Sequence, residues 1–138
     1  MKIWPGIFFT FWLPAALAAE FNVQPGDDLA AVIAQARSGD TVTVERGHYP
    51  SQLIIDKPLH LKGINRPTLD GKLVSDVIRI RSPDVIIEGF IIRNSGNNLT
   101  AQHAGIYLQP GSDRVIIRDN TINYTLFGLW IEKCAKLM

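Results

Sequence analysis

Ile78-Arg79-Ile80, Val85-Ile86-Ile87-Glu88-Gly89 and Phe90-Ile91-Ile92 follow one another in a single stretch, broken only by turn-forming residues such as Ser82-Pro83-Asp84. Each apolar run is too short for a helix and has the composition of a strand bounded by a turn. Strands this short suit a sandwich as well as a solenoid, so a repeat has to decide. The repeat is present. Ile106-Tyr107-Leu108 and Leu129-Trp130-Ile131 carry the in-out-in pattern of Ile78-Arg79-Ile80 at successive offsets of 28 and 23 residues, and Leu53-Ile54-Ile55 carries it 25 residues earlier. A second column runs through Leu59-His60-Leu61-Lys62-Gly63, Val85-Ile86-Ile87-Glu88-Gly89 and Val115-Ile116-Ile117-Arg118-Asp119. The same strand order recurs in every coil, with three short strands per coil. The chain is therefore expected to be all-β, a right-handed parallel β-helix whose inward Ile78, Ile80, Ile106, Leu108, Leu129 and Ile131 stack along the axis. The longest coil accommodates residues 95–103 as a protruding loop.

Working outward from this stretch, Asp27-Asp28 precedes Leu29, Val32, Ile33 and Ala36 at helical spacing. The acids suit a helix N-terminus, and Ser38-Gly39-Asp40 supplies a stop. The spacing predicts a short helix over residues 27–37 that caps the first end of the solenoid. Gly47-His48-Tyr49-Pro50 reads as a turn. At the other end, Cys134 to Met138 stop one strand into a new coil. Because solenoids need caps at both ends, the sequence reads as the opening coils of a longer β-helix. The leader has three regions: Met1-Lys2, an apolar Ile3 to Leu13, and the small residues of Ala16-Leu17-Ala18. That is the pattern of a secretory signal peptide, too short to span a bilayer. A signal peptide over 1–18, a β-helix domain over 19–138, periplasmic localisation and no membrane span after cleavage follow as expectations. Cys134 is the sole cysteine, so an intrachain disulfide is excluded.

With 14 basic and 13 acidic side chains the formal net charge is +1, which gives no electrostatic case for nucleic acid or an anionic membrane. Asp70, Asp84, Glu88, Asp113 and Asp119 are the carboxylates from which a glycoside-cleaving pair would have to come. Asp84 and Asp113 stand before strands as turn residues do. Glu88 falls in one column with Lys62 and Arg118, where a ladder of opposite charges explains it. His48, His60 and His103 lack the paired spacing of a metal site. No catalytic or cofactor-binding residue is assigned and no enzymatic activity is expected. Arg79, Tyr107 and Trp130 share one outward column, a candidate surface for a protein partner or a sugar.

Gly39-Asp40-Thr41 through Gly47-His48-Tyr49 is similar to the start of many pectin-lyase-like β-helices. Pro83 to Gly89, Ser95-Gly96 with Leu99-Thr100-Ala101, Ala104-Gly105-Ile106-Tyr107, and Asn120 followed by Phe127-Gly128-Leu129 together resemble the NosD family over about Gly26 to Glu132. What the resemblance implies is a periplasmic accessory protein that works beside ABC transporter subunits in copper-site maturation of nitrous oxide reductase. Copper enters as an expectation by that resemblance alone, with no ligand placed. A carbohydrate-binding or polysaccharide-modifying β-helix stands as the alternative, and an outer groove holding a carboxylate cluster would favour it.

Overall fold

The computed structural model describes residues 17–133. Most of the leader and Cys134 lie outside the described residues. The described chain winds as a parallel β-helix in which every strand pairing is parallel. It opens with β1 (Glu20–Val23) and α1 (Leu29–Gln35), then makes four coils of three strands. These are β2 (Asp40–Val44), β3 (His48–Pro50) and β4 (Leu53–Ile55); β5 (Leu59–Gly63), β6 (Thr68–Asp70) and β7 (Ile78–Ile80); β8 (Ile86–Glu88), β9 (Ile91–Arg93) and β10 (Ala104–Leu108); and β11 (Ile116–Arg118), β12 (Thr121–Asn123) and β13 (Phe127–Ile131). The three sheets run β1-β2-β5-β8-β11, β3-β6-β9-β12 and β4-β7-β10-β13.

Register is set by stacking like on like. Leu53, Ile78, Ile106 and Leu129 oppose one another in turn, as do Ile55, Ile80, Leu108 and Ile131. On the first sheet Val42, Leu61, Ile87 and Ile117 stack, and on the second Tyr49, Leu69, Ile92 and Ile122. In the middle coils these side chains are fully buried, each contributing about 1.5–3 kcal/mol relative to exposure. A one-residue slip would turn every one of them to solvent. Leu129 and Ile131, in the last described coil, remain 39% and 42% exposed.

Both columns read from the sequence have the expected register. The second sheet differs. His48-Tyr49-Pro50, expected as a turn, is a strand paired with Thr68–Asp70, because Tyr49 turns inward and is 2% exposed. β1, β6 and β12 were also not foreseen. Coil length therefore varies more widely than the third sheet alone suggests, since insertions fall at different corners.

The helix is shorter than residues 27–37. Asp28 caps it by accepting the Ala31 N–H at 3.1 Å. It ends at Ala36, which is extended, ahead of the expected Gly39. Lys57 closes the end: its Nζ donates to the Ile33, Ala34 and Ala36 carbonyls at 3.1, 3.2 and 2.6 Å, a cation on the negative pole of the helix. Leu29 and Ile33 are buried as α1 packs on β1 and β4, covering the first end as expected.

Corners are turned by residues in the left-handed region at equivalent points of successive coils: Asp84 and Arg114, Gly89 and Asp119, Asn94 and Tyr124. Gly89 has a further constraint, since a Cβ there would sit 2.5 Å from the Gly63 carbonyl oxygen. Gly111, at a similar positive φ, has open space around it. Alanine at position 111 should cost about 1 kcal/mol of backbone strain. Alanine at position 89 should cost at least about 2 kcal/mol, because strain and clash combine. Urea unfolding of the two variants measures the difference directly.

Candidate outer face and its overhanging loop

The outward positions of the third sheet form a column of Ile54, Arg79, Tyr107 and Trp130. Three of these are the side chains singled out from the sequence, and the fold brings them together. Their roles differ from that expectation. Arg79 lies over the Tyr107 ring, with Cζ 4.1 Å from the centroid, a cation–π contact. Tyr107 points outward yet is only 5% exposed. Its hydroxyl reaches Glu132 and lies 3.3 Å from Gln102 Oε1, so the loop ahead of β10 and the residue after β13 cover it. It is a buried strut beneath the face. Trp130 is half-buried and packs on Phe127 with ring centroids 4.8 Å apart. Ile54 is 49% exposed.

Asp76 organises this region and was not singled out from the sequence. It is 4% exposed. One carboxylate oxygen accepts from Arg79 Nε at 2.9 Å and from its Nη2, and the other accepts the Ala104 N–H at 2.9 Å. Arg79 is thus neutralised and aimed, and β10 is tied to the turn before β7. An aspartate three residues ahead of an arginine is common at turns, so spacing alone carried no signal for it. The loop above is ordered by itself: Asn98 Oδ1 accepts the Ala101 N–H at 3.0 Å, and His103 Nδ1 accepts the Asn98 N–H at 3.4 Å. Beneath it, Gln52, Ile54, Ser75, Asp76, Arg79 and His103 border a hollow of about 150 Å³. That is small beside sites enclosing a drug-sized ligand. The arrangement suits contact with a surface better than enclosure of a molecule.

Of the carboxylates weighed as catalytic candidates, Asp70, Asp84 and Glu88 are engaged with cations or donors, whereas Asp113 Oδ1 is buried without a hydrogen-bond partner. Asp84 pairs with Arg114 at 2.7 Å, and that guanidinium holds its carboxyl below the ordinary value. Glu88 accepts both Arg118 Nε and Nη2, at 3.3 and 3.1 Å, and also contacts His60. The Arg118 contact, aided by His60, holds it low against the opposing effect of burial. The column Lys62, Glu88, Arg118 is in register, but Glu88 takes His60 as its second partner in place of Lys62. Burial pushes Asp70 up, and the Lys72 N–H and Asn94 amide outweigh it, leaving the group lowered. These three lack the raised pKa of a general acid. The histidines diverge: His48 faces Asp70 at 3.3 Å, His60 faces Glu88, and His103 faces its own loop. Among the described residues, no group of three or more His, Cys, Asp or Glu is placed to hold a metal. Asp113 and Asp119 lie at corners, Asp119 in the left-handed region.

The chain is 34% identical over 86 residues to a Pseudomonas aeruginosa protein described as "probable ABC transporter binding protein NosD", which covers 62% of the chain and 20% of that relative. Over this stretch the chain is similar to NosD. A Stutzerimonas stutzeri protein with the same description is 26% identical over the same length, again 20% of the relative. A second Pseudomonas aeruginosa NosD is 28% identical over 70% of the chain and 85% of its own length. The chain thus spans about one fifth of the first two NosD relatives. No family model and no solved structure matches it. No helix among the described residues is long and apolar enough to cross a membrane.

Tyr107 has the most displaced titration on this face, pushed up to about 12 by burial and then by the neighbouring Glu132 carboxylate. Since the folded value is raised, its contribution is complete below the ordinary tyrosine value of about 10 and is lost as pH rises towards about 12. Unfolding free energy should fall across that window, and the Tyr107→Phe variant should show a shallower fall. Urea denaturation in steps from about pH 9 upwards checks the sign.

Proposed function

We propose that this chain belongs to an exported NosD-type accessory protein that works beside an ABC transporter in the periplasm. Its process is maturation of the copper–sulfur site of nitrous oxide reductase, and it performs no sugar chemistry of its own. The observation carrying this reading is the NosD match over 86 residues at 34% identity, together with a leader of signal-peptide pattern. The printed description of those relatives supplies the transporter.

The geometry supports a docking role. A β-helix held by stacked side chains is rigid, so its outer faces keep their shape on contact. The face of the third sheet offers Ile54 and a neutralised, oriented Arg79 beside a hollow too small to enclose a drug-sized ligand, with the half-buried Trp130 further along the same column. The absence of a raised carboxylate at Asp70, Asp84 or Glu88 favours docking over glycoside cleavage. Copper enters this reading as cargo of the machinery.

Deleting the intact gene should leave nitrous oxide reductase present but without its copper–sulfur centre, as read from the spectrum of the purified enzyme. Fully active reductase from a deletion strain with no substitute gene would overturn the reading.

A further inference from the structure

Asp40 opens β2 and is only 4% exposed. A carboxylate so placed must find donors, and here both are backbone groups. One oxygen accepts the Arg37 N–H at 2.7 Å, and the other accepts the Ala19 N–H at 2.8 Å. The second contact spans 21 residues of sequence and is held by the ladder: the Thr41 N–H donates to the Ala19 carbonyl at 3.0 Å, and Glu20 lies opposite Thr41. The first strand pairing therefore holds the Ala19 carbonyl in place, next to the nitrogen that meets Asp40. Immediately upstream, Ala18 and Leu17 are exposed.

We propose that Asp40 is the receptor for the α-ammonium group created when the leader is removed between Ala18 and Ala19. Hydrolysis of that amide by a signal peptidase consumes one water, leaves the carboxylate on Ala18 and leaves the amine on Ala19, where it takes up a proton. The nitrogen stays in place, and a single neutral N–H becomes a cation with three donors. Charge-assisted hydrogen bonds are roughly twice as strong as neutral ones, so processing tightens the first coil. The other charged groups facing Asp40 are Arg37 and Lys57. The nearby Glu20 accepts from Thr43 Oγ1 at 2.9 Å. The Arg37 and Ala19 donors already hold Asp40 below its ordinary value, so its contribution is present above that value and lost as pH falls. The new ammonium is raised, so its contribution is present below the ordinary α-amine range of about 7.7–8.0 and lost as pH rises. The inference rests on the export reading alone; neither transporter nor reductase enters it.

The test uses the full chain exported with its own leader. Mass spectrometry gives the first residue, and acetic anhydride labelling between about pH 7 and 9 gives the reactivity of its α-amine. Two variants accompany it: Asp40→Asn, and a chain with two glycines inserted between Ala18 and Ala19, which moves the ammonium away while leaving every residue of the fold unchanged. The expected result is a chain beginning at Ala19 whose amine at about pH 7 is acetylated about tenfold more slowly than that of the insertion variant, the difference narrowing towards about pH 9, as a pKa raised by about one unit requires. If Asp40→Asn does not fold, the insertion variant carries the comparison. A different first residue, or an Ala19 amine that reacts as fast as the inserted one, overturns the proposal. Reductase maturation is not among the readouts, so failure here leaves the transporter reading standing.

Discussion

Parallel, in-register stacking of each inward side chain on its counterpart one coil away is the interaction on which the rest depends. The inward faces of the three sheets supply the core. The core is built chiefly of the ladders Leu53–Ile78–Ile106–Leu129, Ile55–Ile80–Leu108–Ile131, Val42–Leu61–Ile87–Ile117 and Tyr49–Leu69–Ile92–Ile122, with Leu29 and Ile33 of α1 at the first end. Between them the backbone must turn sharply, and it does so where Gly89, Asp119 and the other left-handed residues recur. The close approach of Gly63 to Gly89 shows how little room the corner leaves.

The same register arranges the outside. Side chains remote in sequence become neighbours one strand spacing apart, about 4.8 Å. Glu88 meets Arg118, and Arg79 meets Tyr107, because their inward companions stack. Exposed pairs such as Asp84–Arg114 contribute little to stability; their value is to discriminate against a shifted register. The buried Asp76 and Asp40 act differently: Asp76 joins the Ala104 N–H to the Arg79 guanidinium, and Asp40 joins the Ala19 N–H to the Arg37 N–H.

How much of this could be read in the sequence follows from the same geometry. The first and third sheets place two inward apolar residues in most strands, so their periodicity is visible in Leu59-His60-Leu61 or Ile78-Arg79-Ile80. The second sheet turns in one residue per strand, flanked by His48 and Pro50, Thr68 and Asp70, or Thr121 and Asn123. No alternation survives there, and a strand such as His48–Pro50 looks like a turn. On the outer face the column of Arg79, Tyr107 and Trp130 was legible because direction follows parity. The burial of Tyr107 was not, since it depends on where Gln102 and Glu132 come to lie. His60 as a partner of Glu88 is a diagonal contact, which no in-register column shows.

For a chain that spans about one fifth of the first two NosD relatives, the docking reading inherits its rigidity from the ladder, so the ladder is the claim to measure. Nitroxide labels at Lys62→Cys and Glu88→Cys, with Cys134→Ser to remove the native thiol, would sit on adjacent strands. The double-labelled spectrum should be broadened by spin–spin interaction well beyond the sum of the two single-label spectra. A spectrum equal to that sum would place the two residues apart and contradict the register on which the fold, the outer face and its proposed role all stand.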